Sequence, residues 1–359
     1  MSGKAVVYVS SADDGDIGVY RLGTDGSLGI TERVPAGKGV MPLAVSPDRR
    51  YVYAAIRSRP FSILTYAIDK RSGALEKIGA GPAADSFPYI STDRTGRFLF
   101  GASYSADLIA VHPIEAAGCV GEALQVVPVA RNAHCIRIDG TNRYVFVPTL
   151  GTDQVFQFAF DAGNGRLTAN TPPLVQLKAG TGPRHAIVSN DNRFVYVLGE
   201  LTGTVTTLAL DAASGLLSDP RSESILPRDS TLRPGMPRVA AGAAQPNQVP
   251  RDTADDIWAS DLRLTPDGRF LYAAERTRST LSVLRVEEAG ATLAYVASIP
   301  TEKQPRGFAI DPAGKFLVVA GEKSGTISAY AIGSDGVPQL LGRCETGKGS
   351  NWVEIVERE

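Results

Sequence analysis

One segment recurs along the whole chain: a turn containing Asp, then Arg or Lys, an aromatic residue, and an alternating apolar strand. It reads AVSPDRRYVYAAI at 44–56, YISTDRTGRFLFGAS at 89–103, IRIDGTNRYVFVPTL at 136–150 and IVSNDNRFVYVLGE at 187–200. It returns as LRLTPDGRFLYAAE at 262–275 and AIDPAGKFLVVAGE at 309–322. Aligned on the aromatic, the anchors are Tyr51, Phe98, Tyr144, Phe194, Phe270 and Phe316, and the opening strand KAVVYVSS (4–11) puts Val6 in the same slot. Successive anchors lie 45, 47, 46, 50, 76 and 46 residues apart. A period near 46 is the length of one four-stranded propeller blade, and alternation with period 2 excludes helical repeats of similar size.

Seven anchors therefore predict an all-β, seven-bladed propeller. Length alone, 359 residues, suggests about two domains. The repeat replaces that estimate with one domain over 1–359. Within a unit, strand a is PLAVS-like, strand b RYVYAA-like, strand c TVTTLAL-like (204–210) and strand d LVQLKAG-like (174–180). The chain starts at a strand b and ends on NWVEIVE (351–357), which reads as a strand a without its partner. That last strand is expected to complete the first blade and close the ring, removing the exposed edges of an open repeat. The 76-residue spacing places one insertion at about 220–256.

Composition narrows the partners. Net charge is −1, which argues against a nucleic-acid or anionic-membrane surface, and no run of apolar residues is long enough to span a bilayer. Cys119, Cys135 and Cys344 are scattered and odd in number, and Met1–Lys4 leads into a short apolar run without a cleavage site. The expectation is a cytoplasmic protein, monomeric or a small homo-oligomer, with no cofactor and no metal. DDGD (13–16) falls where a b–c turn belongs and reads as a solvated turn.

Antiparallel order fixes which residues share a rim. Strand a begins, strand b ends and strand d ends at one face of the disc. There the sequence places Arg57, Tyr104, His134, Arg184, His185, Glu200, Arg276, Arg306, Glu322 and Lys323. Guanidinium forks with one or two carboxylates suit a small anionic ligand. The bland alternative is local ion pairing and strand capping. The opposite rim carries the Asp-Arg and Asp-Gly hairpins, which read as turn chemistry with surface ion pairs. His185 follows Arg184 on a strand and by alternation faces the other way, as packing or support. Cys135 reads as packing.

The densest stretches, GPRH (182–185), Glu200-Leu201, LTPDGRFLYAAERT (264–277) and QPRGFAIDPAGKFLVVAGEKSGTISAYAI (304–332), resemble the propeller-type lactonase family, and the match runs from Val6 to Val356. The related carboxymuconate lactonizing enzymes share that fold. The resemblance implies a metal-independent hydrolase opening a sugar-acid lactone, most typically 6-phosphoglucono-δ-lactone, in carbohydrate metabolism. It also implies a His/Arg/Glu/Arg site at His134, Arg184, Glu200 and Arg276. On that basis Glu200 would orient water, Arg184 and Arg276 would hold the developing oxyanion, and His134 would carry the proton. Arg306 would hold the substrate's distant anionic group, with Lys323, His185 and Arg57 as further binding residues. Three departures stand out: ARNAHCIRIDG around His134, Glu275 before Arg276, and the 220–256 insertion, expected on the functional rim. Alternatives are a lactonase or isomerase for a hexaric-acid lactone or muconolactone, and a non-catalytic binding propeller.

Overall fold

The computed structural model describes residues 5–238 and 252–358. Among them are seven four-stranded antiparallel sheets and a single 3₁₀ turn, Glu288–Gly290. The anchors all fall on strand b, at or one residue from its start: Tyr51–Ile56, Phe98–Ser103, Tyr144–Thr149, Phe194–Gly199, Phe270–Glu275, Phe316–Gly321 and, in the first blade, Ala5–Ser11. Ser350–Glu357 pairs antiparallel with Ala5–Ser11 and takes the innermost place of the first blade. The ring is closed by its two ends, as expected.

Packing between blades explains the repeat. The aromatic at the start of strand b lies against the c–d turn of the next blade, and only a glycine fits beneath it. At Gly215 a Cβ would stand 2.1 Å from the Tyr144 ring, and the backbone there has φ +72°. Tyr144 Oη also donates to Ala213 O at 2.5 Å. Gly165 meets Phe98, and Gly336 meets Phe270, in the same way. Strand b is consequently buried along its length, as in Phe98–Ser103, whereas the outer strand Leu217–Ser224 is exposed beyond its first residue except at half-buried Glu223.

Two boundaries differ from expectation. In the fourth blade strand d is Arg166–Gln176, not 174–180. Pro172 and Pro173 do not end it, because an outer strand needs no donor on its free side and a bulge between Phe156 and Phe158 absorbs the irregularity. In the fifth blade strand d takes residues through Ser224, so the extra segment begins at Ile225 and ends before Ala259. Part of it lies outside the described residues. Its described ends are fastened: Gly235 N donates to Leu201 O, Arg233 pairs with Asp256 at 3.0 Å, and Tyr104 Oη donates to Arg238 O. Among the described residues no helix is long and apolar enough to cross a membrane.

The a–b turns of the rim opposite the candidate residues behave largely as read. Asp93 Oδ1 accepts from Arg97 N and Phe98 N, and Asp139 Oδ1 from Arg143 N and Tyr144 N. Arg193–Asp191 and Arg269–Asp267 are exposed pairs at 2.7 Å. DDGD forms the first b–c turn, where Asp14 and Asp16 pair with Arg33. Cys135 is fully buried in the core, and burial raises its thiol to about 11.

Candidate active site

Strand a of the fifth blade, Pro183–Val188, carries a β-bulge between Pro183 and Ala186. The bulge breaks strict alternation, so Arg184 and His185 both reach the channel axis instead of opposite faces. Similar bulges open strand a at Val40/Leu43, Ala259/Leu262 and Pro305/Gly307. They lie at the rim where the candidate residues gather.

There a cavity of about 180 Å³ is lined by Arg57, Pro88, Tyr104, His134, Arg184, Glu200, Arg238, Trp258, Arg276 and Arg306. Glu200 follows strand b of the fifth blade and is 4% exposed. Its Oε2 receives Arg276 Nη2 at 3.0 Å, and Arg184 Nε lies 2.7 Å away. The Arg184 contact is off the N–H axis and is ionic rather than a directed hydrogen bond. Removing two cations and one anion from water is tolerated only with further partners. Arg276 finds them in Trp258 O and Ala259 O, and Arg184 Nη1 in Ser260 O and His185 Nε2. Burial lowers both guanidinium pKa values, to about 10 for Arg184 and about 9 for Arg276. No hydrogen bond from a described residue reaches Glu200 Oε1, Arg184 Nη2 or Arg276 Nη1. Each member of the triad keeps one free polar atom.

His185 is a support. Arginine only donates, so Nε2 of His185 accepts from Arg184 at 2.9 Å and the ring proton sits on Nδ1. That proton goes to Asp261 Oδ1 at 2.8 Å. Burial pushes the Asp261 carboxyl up, and Arg263 and Arg184 oppose the shift. Above His185 stands His134, with ring centroids 5.2 Å apart. Burial, then the charges of Arg184, His185 and Arg306, hold His134 well below the usual imidazole range. It is therefore neutral near pH 7, and its Nδ1 is buried without a partner among the described residues. A lone pair or proton in such a place is held ready for a ligand or water.

Arg57 and Arg306 stand farther along the cavity. Arg57 Nε donates to Ser86 Oγ at 3.0 Å, and burial followed by Arg306 lowers its pKa to about 10. Arg306 is 3.4 Å from Glu322. Of the expected residues, His134, Arg184, Glu200, Arg276, Arg57 and Arg306 line one cavity, and Tyr104 joins them. His185 lies beneath it, and Lys323 is exposed outside its lining. Arg238 and Trp258, from the extra segment, are additions that the repeat could not indicate. The Trp258 ring takes Arg276 at 3.6 Å and Arg238 at 3.8 Å from its centroid. Their signal in the sequence was the insertion itself, where a Trp stands just before a strand a. Among the described residues no group of three His, Cys, Asp or Glu is placed to hold a metal ion.

Residues 6–355 match the family model described as lactonase, 7-bladed beta-propeller. The chain is 37% identical over 98% of its length to the 6-phosphogluconolactonase of Pectobacterium carotovorum, covering 99% of that protein. It is 36% identical to the Serratia proteamaculans enzyme of the same name, over 99% of this chain and 100% of that one. The periplasmic gluconolactonase of Pseudomonas aeruginosa superposes with a TM-score of 0.84 at 27% identity, over 99% of each chain. Fold, extent and sequence agree: the chain belongs to the seven-bladed β-propeller lactonase family.

Proposed function

We propose that this chain hydrolyses the internal ester of a sugar-acid lactone, with 6-phosphoglucono-δ-lactone as substrate and 6-phosphogluconate as product. The observation that carries the reading is the Arg184–Glu200–Arg276 triad beside a neutral histidine in one small cavity. Arg184 Nη2 and Arg276 Nη1 are the atoms free to receive the lactone carbonyl oxygen. Their guanidiniums are already fixed, so charge developing there requires little reorganisation. Glu200 Oε1 orients a water molecule toward the carbonyl carbon, and neutral His134 accepts its proton as the C–O bond forms. Collapse of the tetrahedral intermediate breaks the ring C–O bond, and His134 returns the proton to the leaving alkoxide. Water is consumed, the acid is released, and both side chains end as they began.

Arg57 and Arg306 supply positive charge beyond the triad, suited to a phosphate on the far carbon of the sugar acid. The names of the Pectobacterium and Serratia relatives support that substrate. Three unpaired cysteines support a cytoplasmic location. Arg238, within the 220–256 segment, and Trp258, just past it, support a role for the insertion in covering part of the pocket and selecting the lactone.

The test is acid release from freshly prepared 6-phosphoglucono-δ-lactone and glucono-δ-lactone, corrected for spontaneous opening. The phosphorylated lactone should show the higher kcat/KM, Arg306→Gln should erase most of that preference, and Glu200→Gln should lower kcat by about 10²–10³. No rate above background with either lactone overturns the reading.

A further inference from the structure

The other end of the central channel opens into a larger cavity, about 660 Å³, lined by strand a ends and the first a–b turns. It does not communicate freely with the pocket. Tyr89, His185 and Trp352 pack edge-on or tilted at 5.0–5.9 Å between them and plug the axis.

Its chemistry is unusual for an unassigned surface. Arg94, Arg137 and Arg263 all line it. Arg263 is paired, 2.9 Å from Asp261. Arg94 donates Nε to the Asp139 carbonyl, and Arg137 meets only Tyr89 Oη, at 3.5 Å. Neither Arg94 nor Arg137 has a carboxylate within ion-pairing distance among the described residues; Arg94 feels the charge of Arg137 and, opposing it, that of Asp139. The carboxylates nearby are otherwise engaged. Asp93 spends both oxygens on its own turn and Asn142, and Glu354 accepts the Trp352 indole N–H at 2.8 Å. Burial pushes the Glu354 carboxyl up, while the charges of Arg263 and Arg137 oppose the shift. The hydroxyl of Ser91 and the amide N–H groups of Asn190 are spent on backbone carbonyls. The guanidiniums of Arg94 and Arg137 keep donor atoms that no described residue accepts. Guanidiniums gathered in a concave site, with donor atoms that no carboxylate directly bonds among the described residues, mark a place where an anion is received.

We propose that this funnel is a second binding site, for a small polyanion bearing two or more acidic groups: a phosphorylated acid or a polycarboxylate. Arg94 and Arg137 grip one acidic group as forks, and Arg263, deeper toward the plug, meets another. The cavity is several times larger than the near pocket, which suits an extended ligand over a single inorganic ion.

The experiment is calorimetric titration of the full chain with pyrophosphate and, separately, citrate at low ionic strength. Arg57→Gln/Arg306→Gln serves as background, so that the near pocket contributes little. Binding of one or both anions is expected, weakened at least about tenfold in chains also carrying Arg94→Gln/Arg137→Gln. Pyrophosphate alone identifies a phosphate ligand, citrate alone a polycarboxylate, and both the shared polyanion chemistry. Thermal melting establishes that each variant is folded, independently of lactone turnover. Should the double change prevent folding, Arg137→Lys, which keeps charge but loses the fork, should still weaken binding several-fold. The proposal is overturned if neither anion binds at about 10 mM, or if binding is unaltered by the funnel substitutions.

Discussion

The two ends of the channel both gather arginines, yet hold them in opposite ways. At the near rim Arg184 and Arg276 are 1% and 2% exposed, share one carboxylate oxygen and are pinned by backbone carbonyls. At the far rim Arg94 and Arg137 have spare donors and, among the described residues, no carboxylate bonded directly to them. On the readings proposed above, the difference is that between stabilising a transition state and receiving a ligand. A cation that must meet a charge existing only during the reaction has to be oriented beforehand, and a carboxylate does this at the expense of net charge. A cation that captures a stable anion works best without such a competitor.

Asp261 is where this contrast can be broken, because its Oδ1 meets both His185 and Arg263. Asp261→Asn replaces the acceptor-only carboxylate that fixes the His185 proton on Nδ1 by a neutral amide that can also donate. The hold on His185 and, through it, on the Arg184 guanidinium is loosened. A fall in kcat of about 10–100-fold is expected, with little change in KM and a displaced pH–rate profile, because a small misplacement of an oriented group is costly. Equal changes in kcat and KM, or an unchanged profile, would place Asp261 with the packing alone.

Acid sharpens the same contrast at the level of stability. His134 and His185 have folded-state pKa values below the unfolded value of 6.5, and so does His112. The unfolded chain therefore binds more protons as pH falls below 6.5, and stability decreases there. Each fully depressed histidine contributes about 1.4 kcal/mol per pH unit in that window. Denaturant titrations between pH 7 and 5 should show this slope, and His134→Asn/His185→Asn should flatten it while Arg137→Gln leaves it intact.

The smallest effect belongs to the extra segment. Trp258→Ala removes the ring beneath Arg276 and Arg238, an interaction of about 1 kcal/mol, and should raise KM roughly fivefold with kcat largely kept. An unchanged KM would confine Trp258 to a scaffolding role.

The fold was legible because one interaction repeats. Each strand-b aromatic needs a glycine in the next blade, and that pairing imposes both the spacing and the turn composition. The near rim was legible to the extent that strand direction decides which ends meet. What escaped was set by departures from the repeat. A bulge turned His185 into the channel against alternation, and Arg238 and Trp258 belong to a segment with no register to align. Arg94 takes the turn position that Pro47, Gly140, Asn190 and Pro266 hold in other blades, so the repeat carries no cue to it. Its inward course depends on the neighbouring blade, to whose Asp139 carbonyl it donates.

The closing strand has a consequence for when the molecule becomes functional. Ser350–Glu357 supplies Trp352 to the channel plug and Glu354 to the far funnel, and Asn351 Nδ2 reaches the Gly349 carbonyl beside the first blade. Ser350–Glu357 is thus an interior part of the channel, although it joins a blade whose other three strands lie at the opposite end of the sequence. Six blades form from contiguous segments, but the axis is unfinished and the ring unlocked until this strand docks on Ala5–Ser11. Whatever strains that strand disturbs the centre of the disc as well as its edge.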